Sequence, residues 1–291
     1  MKTKTTLLLL LLTFLGGVQY THAQMESSLF MAKNPEQTFV GAIMEASSIN
    51  KDTHRFVDAS LNPVDVSFSL PIAAPSQILT PSYDNMMNAV RQKLEANHIS
   101  KPNLSFSFAV NELQSPAEVA SLVGQNINTD FYFGIAQKTK KTLACVYISQ
   151  SLFSIDMDIL DEVCSDEQVL ARGDELVIIG SVFFGRQALV MVESDYEYQE
   201  VRMAINELLS ETQAFSTENI SKSKAILANS TVLVMLPGSE TIEITHPSNP
   251  LGDVMGYMNR GISAEDFGKP IKFSATLLKS RGVFVNEFKI E

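Results

Sequence analysis

Few side chains in this sequence have types and spacings that could support catalysis. Beyond residue 23 the histidines are His54, His98 and His246, which lie far apart and lack the spacing of metal ligands. The sequence has no Gly-x-Ser-x-Gly elbow, no phosphate-binding glycine loop and no nucleophile beside a plausible base. We therefore predict a protein that is not an enzyme and that carries no cofactor.

Two short motifs suggest binding but have weak support. Asp156 and Asp158 open like a calcium-binding loop, yet Asp161 occupies the sixth position, where the sharp turn requires glycine. A solvated acidic loop is the favoured interpretation. Arg172-Gly173-Asp174 matches a cell-adhesion tripeptide, but three residues recur easily by chance.

Composition and charge exclude some partners. The chain has 291 residues, 45% of them hydrophobic, which is enough apolar mass for a sizeable core. Its formal net charge of -11 argues against nucleic acid, because neutralising phosphates requires lysine and arginine. The same charge argues against simple electrostatic docking on an anionic lipid surface.

The first 23 residues have the layout of a signal peptide. Lys2 and Lys4 precede an apolar run from Leu7 to Leu15, and the sequence reaches a small-residue cleavage site at Ala23. The run is too short to span a bilayer as a helix. We expect the mature chain to begin at Gln24 and to be secreted.

Export permits disulfides, and the chain has two cysteines, Cys145 and Cys164. The sequence leaves open whether they form one disulfide or remain two free buried thiols. If bridged, they could act as a redox latch.

Hydrophobic periodicity predicts an α+β chain with long strands. Alternation predicts strands over Val64–Leu70 and Leu104–Val110, and also around Phe131, Phe133 and Ile135. Longer apolar runs predict strands over Leu143–Met157, Val177–Val192 and, in two pieces, Ile271–Ile290. Helical spacing predicts helices over Tyr83–Ala96, from Pro116 to about Val123, over Glu200–Leu209 and over Val254–Asn259.

One segment, Val177 to Glu211, resembles the cholesterol-dependent (thiol-activated) cytolysins. It contains Gly185-Arg186-Gln187 in a long strand, an acidic turn and a helix that opens Glu200-Val201, in the order that the family shows. Similar family motifs occur in the same order along nearly the whole mature chain, at residues 39–43, 63–71, 88–91, 146–155, 250–253 and 270–278. Arg186 therefore resembles part of a structural strand signature.

The resemblance implies a MACPF/cytolysin-like core: an elongated α+β fold with a bent, twisted antiparallel sheet flanked by helical clusters. Residues 24–291 would form this core, with discontinuous domains 1 to 3. Family members are secreted as soluble monomers, assemble into rings on a target membrane and convert two helical clusters into transmembrane β-hairpins. Only closed barrels satisfy the backbone of membrane strands, so insertion requires oligomerisation.

Carried over, hairpin one would span residues 128–157 and hairpin two residues 213–240. The residues expected to insert from hairpin one are Phe131, Phe133, Ile135, Leu143, Cys145, Val146 and Ile148. Those expected from hairpin two are Ile220, Ile226, Leu227, Val232 and Val234. Pro237 and Gly238 stand at the hinge, where family members have a Gly-Gly pair.

The sequence also departs from the family. It contains no Trp, and the Trp-rich segment of the C-terminal membrane-binding domain is expected to be absent. Direct cholesterol binding is therefore not supported. We expect a short cytolysin-like protein that forms homo-oligomeric rings, or that is recruited by a longer homologue supplying membrane binding. The alternative is a secreted, non-lytic binding or scaffold protein on the same fold.

Overall fold

The computed structural model describes residues 24–158, 163–210, 217–236 and 251–289. Its helices are α1 (Tyr83–Ala96), α2 (Val119–Val123), α3 (Thr129–Phe133), α4 (Glu167–Ala171), α5 (Tyr198–Leu209), α6 (Thr217–Ala228) and α7 (Gly252–Met258). Its first strands are β1 (Gln24–Ser27), β2 (Phe30–Met31), β3 (Ile43–Glu45), β4 (Phe56–Val57), β5 (Val64–Phe68), β6 (Ser76–Leu79) and β7 (Lys101–Asn103). The later strands are β8 (Phe108–Leu113), β9 (Thr142–Met157), β10 (Leu176–Ser194), β11 (Thr231–Met235), β12 (Arg260–Ile262), β13 (Lys269–Leu277) and β14 (Asn286–Lys289).

A 10-stranded antiparallel sheet organises these elements. Its main path runs β2-β13-β10-β9-β5-β6, with β8 joined to β9, β11 and β3 joined to β10, and β4 joined to β3. Two further pairs, β1 with β14 and β7 with β12, lie outside it. The predicted α+β class with a large antiparallel sheet is confirmed.

The long strand β10 changes partners along its length. It pairs with β13 from Val177 to Gly185 and with β11 from Leu189 to Glu193, while β9 pairs with it from Ser181 to Ser194. Register shifts interrupt both long pairings next to Phe184. Such irregularities bend a strand and increase its twist. The bend therefore separates the sheet into two parts with different neighbours.

We call the part beyond the bend the upper sheet. It consists of β8, residues 142–148 of β9, residues 187–194 of β10, and β11. The other part rests on α1, whose Met86, Val90 and Leu94 are buried in the largest apolar cluster. The side chain of Ser82 caps α1 by accepting a hydrogen bond from the Asn85 N–H at 3.1 Å.

Candidate functional site

Apolar side chains cover both faces of the upper sheet. Ala144, Val146 and Ile148 of β9 pack in one cluster with α5 and α6. Leu143 and Cys145, which alternate with these residues along β9, pack in a second cluster with α2 and α3. Because successive side chains of a strand point to opposite faces, the two helical layers lie on opposite sides of the upper sheet. Burial on both faces explains why this part of β10 is a dense apolar run.

The first helical segment, residues 114–141, joins β8 to β9. It contains α2, which ends at Gly124 with φ of +74°, and α3, which ends at Gly134 with φ of +68°. Asn128 begins α3, because its side chain accepts a hydrogen bond from the Phe131 N–H at 3.0 Å. The strand predicted around Phe131, Phe133 and Ile135 is therefore wrong: the asparagine cap and the glycine stop enclose a short helix.

The structure distributes the residues expected in hairpin one over three environments. One buried cluster contains Phe133, Ile135, Leu143 and Cys145. Val146 and Ile148 lie on the opposite face of the upper sheet, and Phe131 is 62% exposed. Leu143, Cys145, Val146 and Ile148 all belong to β9, a paired strand of the central sheet.

Polar contacts hold the first helical segment against residues 49–54, which we call the 49–54 loop. Asn50 Oδ1 accepts a hydrogen bond from the Asn126 N–H at 3.3 Å, and Asn128 Nδ2 donates to Asp52 Oδ2 at 3.5 Å. The Tyr132 hydroxyl donates to the backbone carbonyl of Asp52. Burial, followed by the charge of Asp52, raises the pKa of Tyr132 to about 12, so the hydroxyl keeps its proton at neutral pH.

Lys33 adds a partly buried cation to this contact. Its Nζ donates to the carbonyls of Ile49 at 3.0 Å, Lys51 at 2.6 Å and Asn126 at 3.2 Å. Burial lowers the pKa of Lys33 to about 8, although the nearby Asp52 acts in the opposite direction. No local sequence pattern predicts this set of residues, because their contacts with the first helical segment join positions 76 to 93 residues apart.

The second helical segment, residues 195–230, joins β10 to β11. It contains α5 and α6, and the Ser223 hydroxyl donates to the Glu207 carboxylate to link them. Glu197 and Glu200 form a capping box at the start of α5. All five residues expected to insert from hairpin two belong to the cluster on this face or pack against it: Ile220, Ile226, Leu227, Val232 and Val234. The predicted hinge, Pro237 and Gly238, lies outside the described residues.

The two helical segments meet at the end of the upper sheet. Glu193, near the end of β10, accepts hydrogen bonds from the Thr139 N–H at 2.8 Å and the Thr139 hydroxyl at 3.1 Å. Lys141 forms an ion pair with Glu197, and Lys140 Nζ donates to Thr231 Oγ1 at 3.2 Å. The Lys141–Glu197 pair joins the first segment directly to the second, and the other contacts join residues 139 and 140 to β10 and β11.

Arg186 occupies the bend of β10 and has a structural role. Its side chain is 1% exposed, and its guanidinium donates to the carbonyls of Arg260 at 2.9 Å and Gly261 at 2.7 Å. Gly185 allows the close approach at the bend, because a Cβ there would lie 1.9 Å from the Gln150 carbonyl oxygen. The neighbouring Gln187 donates a hydrogen bond to the Tyr147 hydroxyl across the sheet.

The two cysteines are free and buried, so the hypothesised disulfide is not formed. They also lie in different apolar clusters, Cys145 under the first helical segment and Cys164 in the largest core. Burial raises the pKa of Cys145 to about 12, which makes it an unreactive thiol in the folded chain.

The described residues offer no obvious ligand chemistry. They include no group of three His, Cys, Asp or Glu side chains that could hold a metal ion. A cleft of about 1380 Å³, open to solvent and of mixed charge, lies beside the bend of β10. In the adhesion-like tripeptide, Arg172 is paired with Glu45 at 3.2 Å, and Asp174 accepts hydrogen bonds from the Lys279 and Ser280 N–H groups.

The sheet with its two helical segments has a cholesterol-dependent cytolysin-like fold. Among solved structures, wild-type pneumolysin matches with a TM-score of 0.66 and 19% identity, over 91% of this chain and 62% of pneumolysin. A non-hemolytic pneumolysin from Streptococcus pneumoniae matches with a TM-score of 0.68 and 19% identity, over 91% of this chain and 62% of that protein. Listeriolysin O matches with a TM-score of 0.64 and 15% identity, over 91% of this chain and 60% of listeriolysin O.

This chain therefore spans less than two thirds of the length of these proteins. No protein-family model matches the sequence, and a comparison with curated proteins finds no match. Within the described residues, no helix is both long enough and apolar enough to cross a membrane.

Proposed function

We propose that this protein is a secreted, pore-forming protein in which the two helical segments refold into transmembrane β-hairpins. The observation that carries the proposal is topological. The first helical segment connects β8 with β9, and the second connects β10 with β11, and both pairs belong to one antiparallel sheet of order β8-β9-β10-β11. Straightening either segment would extend two existing strands without changing their order.

The lengths of the segments support this mechanism. A transmembrane hairpin needs two strands of about 9–11 residues and a turn, roughly 25 residues in all. Residues 114–141 and residues 195–230 both meet that requirement. These bounds differ from the predicted 128–157 and 213–240, because residues 142–157 and 231–235 are already strands of the sheet. Those strands would be the bases from which the hairpins grow.

The sequence of the first segment supports a lipid-facing strand. From residue 127 to residue 135 the odd positions are Ile127, Thr129, Phe131, Phe133 and Ile135. The even positions are Asn128, Asp130, Tyr132 and Gly134. Alternation with period two is the pattern of membrane β-barrel strands, which turn one face to lipid and the other to the lumen. A segment that folds as a helix here therefore carries a strand pattern as well.

The upper sheet has the edges that a ring requires. Within the described residues, β8 pairs with β9 alone and β11 pairs with β10 alone. Because direction alternates across the four strands, β11 of one copy could pair antiparallel with β8 of the next. Edge strands with unpaired backbone groups are templates for such pairing. We propose that copies of this chain, or this chain and a longer homologue that binds the membrane, assemble through these edges.

Dye release from liposomes tests the proposal. The chain would be added alone and together with a longer homologue from the same genome. Leakage under either condition supports pore formation, and its absence under both contradicts it. In the paired variant Asn50→Cys and Asn126→Cys, oxidation should lock the first segment and stop leakage, and reduction should restore it. The single variant Asn50→Cys is the matched control, since it cannot form this crosslink.

A second function is favoured by one comparison. One of the solved structures with the same fold is a non-hemolytic pneumolysin, so hemolysis does not accompany this fold in every case. The corresponding candidate is a secreted, non-lytic binding or scaffold protein. A scaffold should act equally well with the first segment locked, whereas a pore-forming protein should not.

A further inference from the structure

The 49–54 loop ends in a histidine whose environment is unusual. His54 is 4% exposed, and its ring packs edge-on against Phe273 with ring centroids 5.4 Å apart and near Phe56 at 6.3 Å. Its backbone N–H donates to Asn34 Oδ1 at 2.8 Å. Within the described part of the chain, neither ring nitrogen has a hydrogen-bond partner. A buried polar group without a partner costs free energy, and the cost rises sharply if the group gains a charge.

Charge around this ring comes mainly from Lys33. Its ammonium lowers the pKa of His54, in addition to the larger effect of burial. Ionisable groups on the loop and on the elements next to the ring are Lys33, Glu36, Glu45, Lys51, Asp52, Arg55, Lys269 and Lys272. Arg55 pairs with Glu45 at 2.8 Å, and Lys272 lies 5.6 Å from the centre of the Tyr147 ring. A protonated His54 would therefore be a buried charge among aromatic rings and would be repelled by the partly buried Lys33.

We propose that the 49–54 loop is an acid-operated latch, in which protonation of His54 moves the loop and releases the first helical segment. The inference rests on the proposed function in one respect, namely that the released segment is the one proposed to enter the membrane. His54 lies two residues from Asp52, which contacts both Asn128 and Tyr132. Displacing the imidazole therefore disturbs the contacts that hold α3 against the loop.

The direction of the pH effect follows from the difference in proton binding between the latched and the released state. Burial and Lys33 lower the pKa of His54 from 6.5 to about 3. The latched state then binds fewer protons than the released state, so it is fully stable above pH 6.5 and loses stability as pH falls from 6.5 towards 3. If the released histidine regains a pKa of 6.5, the population of the released state should rise about 30-fold between pH 8 and pH 5.

Cys145 provides a reporter that is already in the chain. Its thiol is buried in the cluster formed with α2 and α3, so a reagent reaches it when the first helical segment leaves the sheet. Cys164 lies in the largest core and reports on global unfolding instead. The full chain would be labelled with a pyridyl disulfide, which reacts with thiols at acid pH, and both sites would be followed by mass spectrometry. Rates would be normalised to the urea-unfolded chain at the same pH.

We expect the normalised labelling rate at Cys145 to rise about 30-fold from pH 8 to pH 5. The normalised labelling rate at Cys164 should not rise over the same range. His54→Gln should remove this rise in labelling. His54→Leu should remove it as well, and it replaces His54→Gln if that variant fails to fold. His98→Gln, at an exposed histidine, should keep it. A rate at Cys145 that is independent of pH, a rise that persists without His54, or a parallel rise at Cys164 would overturn the latch. The assay contains no membrane, so its outcome is separate from that of the dye-release experiment.

Discussion

Arg186 Nη2 lies 2.8 Å from Asp266 Oδ1, and this contact joins the bend of β10 to the chain that follows β12. The guanidinium is buried, whereas the Asp266 side chain is about half exposed. Two backbone carbonyls, from Arg260 and Gly261, complete its surroundings. The residue that most resembles a family signature is thus a structural anchor at the point where the two parts of the sheet diverge.

Removing that anchor should destabilise the fold. Arg186→Met removes the donor of Asp266 and of two carbonyls, and losing these charge-assisted hydrogen bonds should cost about 1.5–3 kcal/mol. Urea unfolding followed by circular dichroism measures the change. Arg55→Gln is the control, because Arg55 forms an exposed ion pair with Glu45 that should contribute about 1 kcal/mol or less. Equal losses in the two variants would contradict the anchoring role.

The bend itself depends on two glycines. Gly268 has φ of +78°, and a Cβ there would lie 2.4 Å from the Gly185 carbonyl oxygen. Gly268→Ala should therefore lower the free energy of unfolding by at least about 2 kcal/mol. Gly256→Ala is the matched control, because nothing lies within 4 Å of its Cβ and α7 should gain about 0.5–1 kcal/mol from alanine. A tolerated Gly268→Ala would show that the bend is not tightly packed.

A substitution at Phe131 can test membrane insertion without changing the stability of the folded chain. It is 62% exposed, so Phe131→Lys should change the free energy of unfolding by no more than about 0.5 kcal/mol. A lysine on the lipid face of a barrel costs up to about 2–4 kcal/mol, so leakage from liposomes should fall at least about tenfold. Ile78→Lys, at a position 71% exposed on β6, should leave both quantities unchanged. Undiminished leakage with Phe131→Lys would place this residue outside the membrane.

The buried thiol predicts a loss of stability in alkali. Burial raises the pKa of Cys145 from 9.0 to about 12, so the unfolded chain ionises first as pH rises above 9. Stability from this group is present below pH 9 and declines by about 1.4 kcal/mol per pH unit up to about pH 12. The difference in unfolding free energy between wild type and Cys145→Val should change by about 1 kcal/mol between pH 9 and pH 10, where the unfolded thiol is only partly ionised. A constant difference would contradict a thiol shielded by the first helical segment.

Sequence periodicity and capping residues predicted those helices and strands that depend mainly on interactions between residues close in sequence. Tyr83–Ala96 has both a serine cap and helical spacing, and the structure places α1 over the same residues. The alternation at Val64 and the long apolar run at Val177 likewise became β5 and β10. In these segments periodicity, burial and capping favour the same structure.

The first helical segment could not be predicted in the same way. Its odd and even positions alternate like a strand, yet Asn128 and Gly134 enclose a helix. The contacts of Lys33 and Asp52 with this segment join residues that are far apart in sequence, so no local sequence pattern predicts them. The period-two alternation here conflicts with the helix caps, and such conflicts are expected at functional sites.

The refolding of residues 114–141 is the central claim, and an environment-sensitive fluorophore tests it most directly. The dye would be attached through Asp130→Cys or Phe131→Cys in a chain with Cys145→Ala and Cys164→Ala, mixed with liposomes and a longer homologue. We predict that the dye enters a hydrocarbon environment at position 131 and remains in water at position 130. Probes at both positions that stay in water, or that respond alike, would contradict the account.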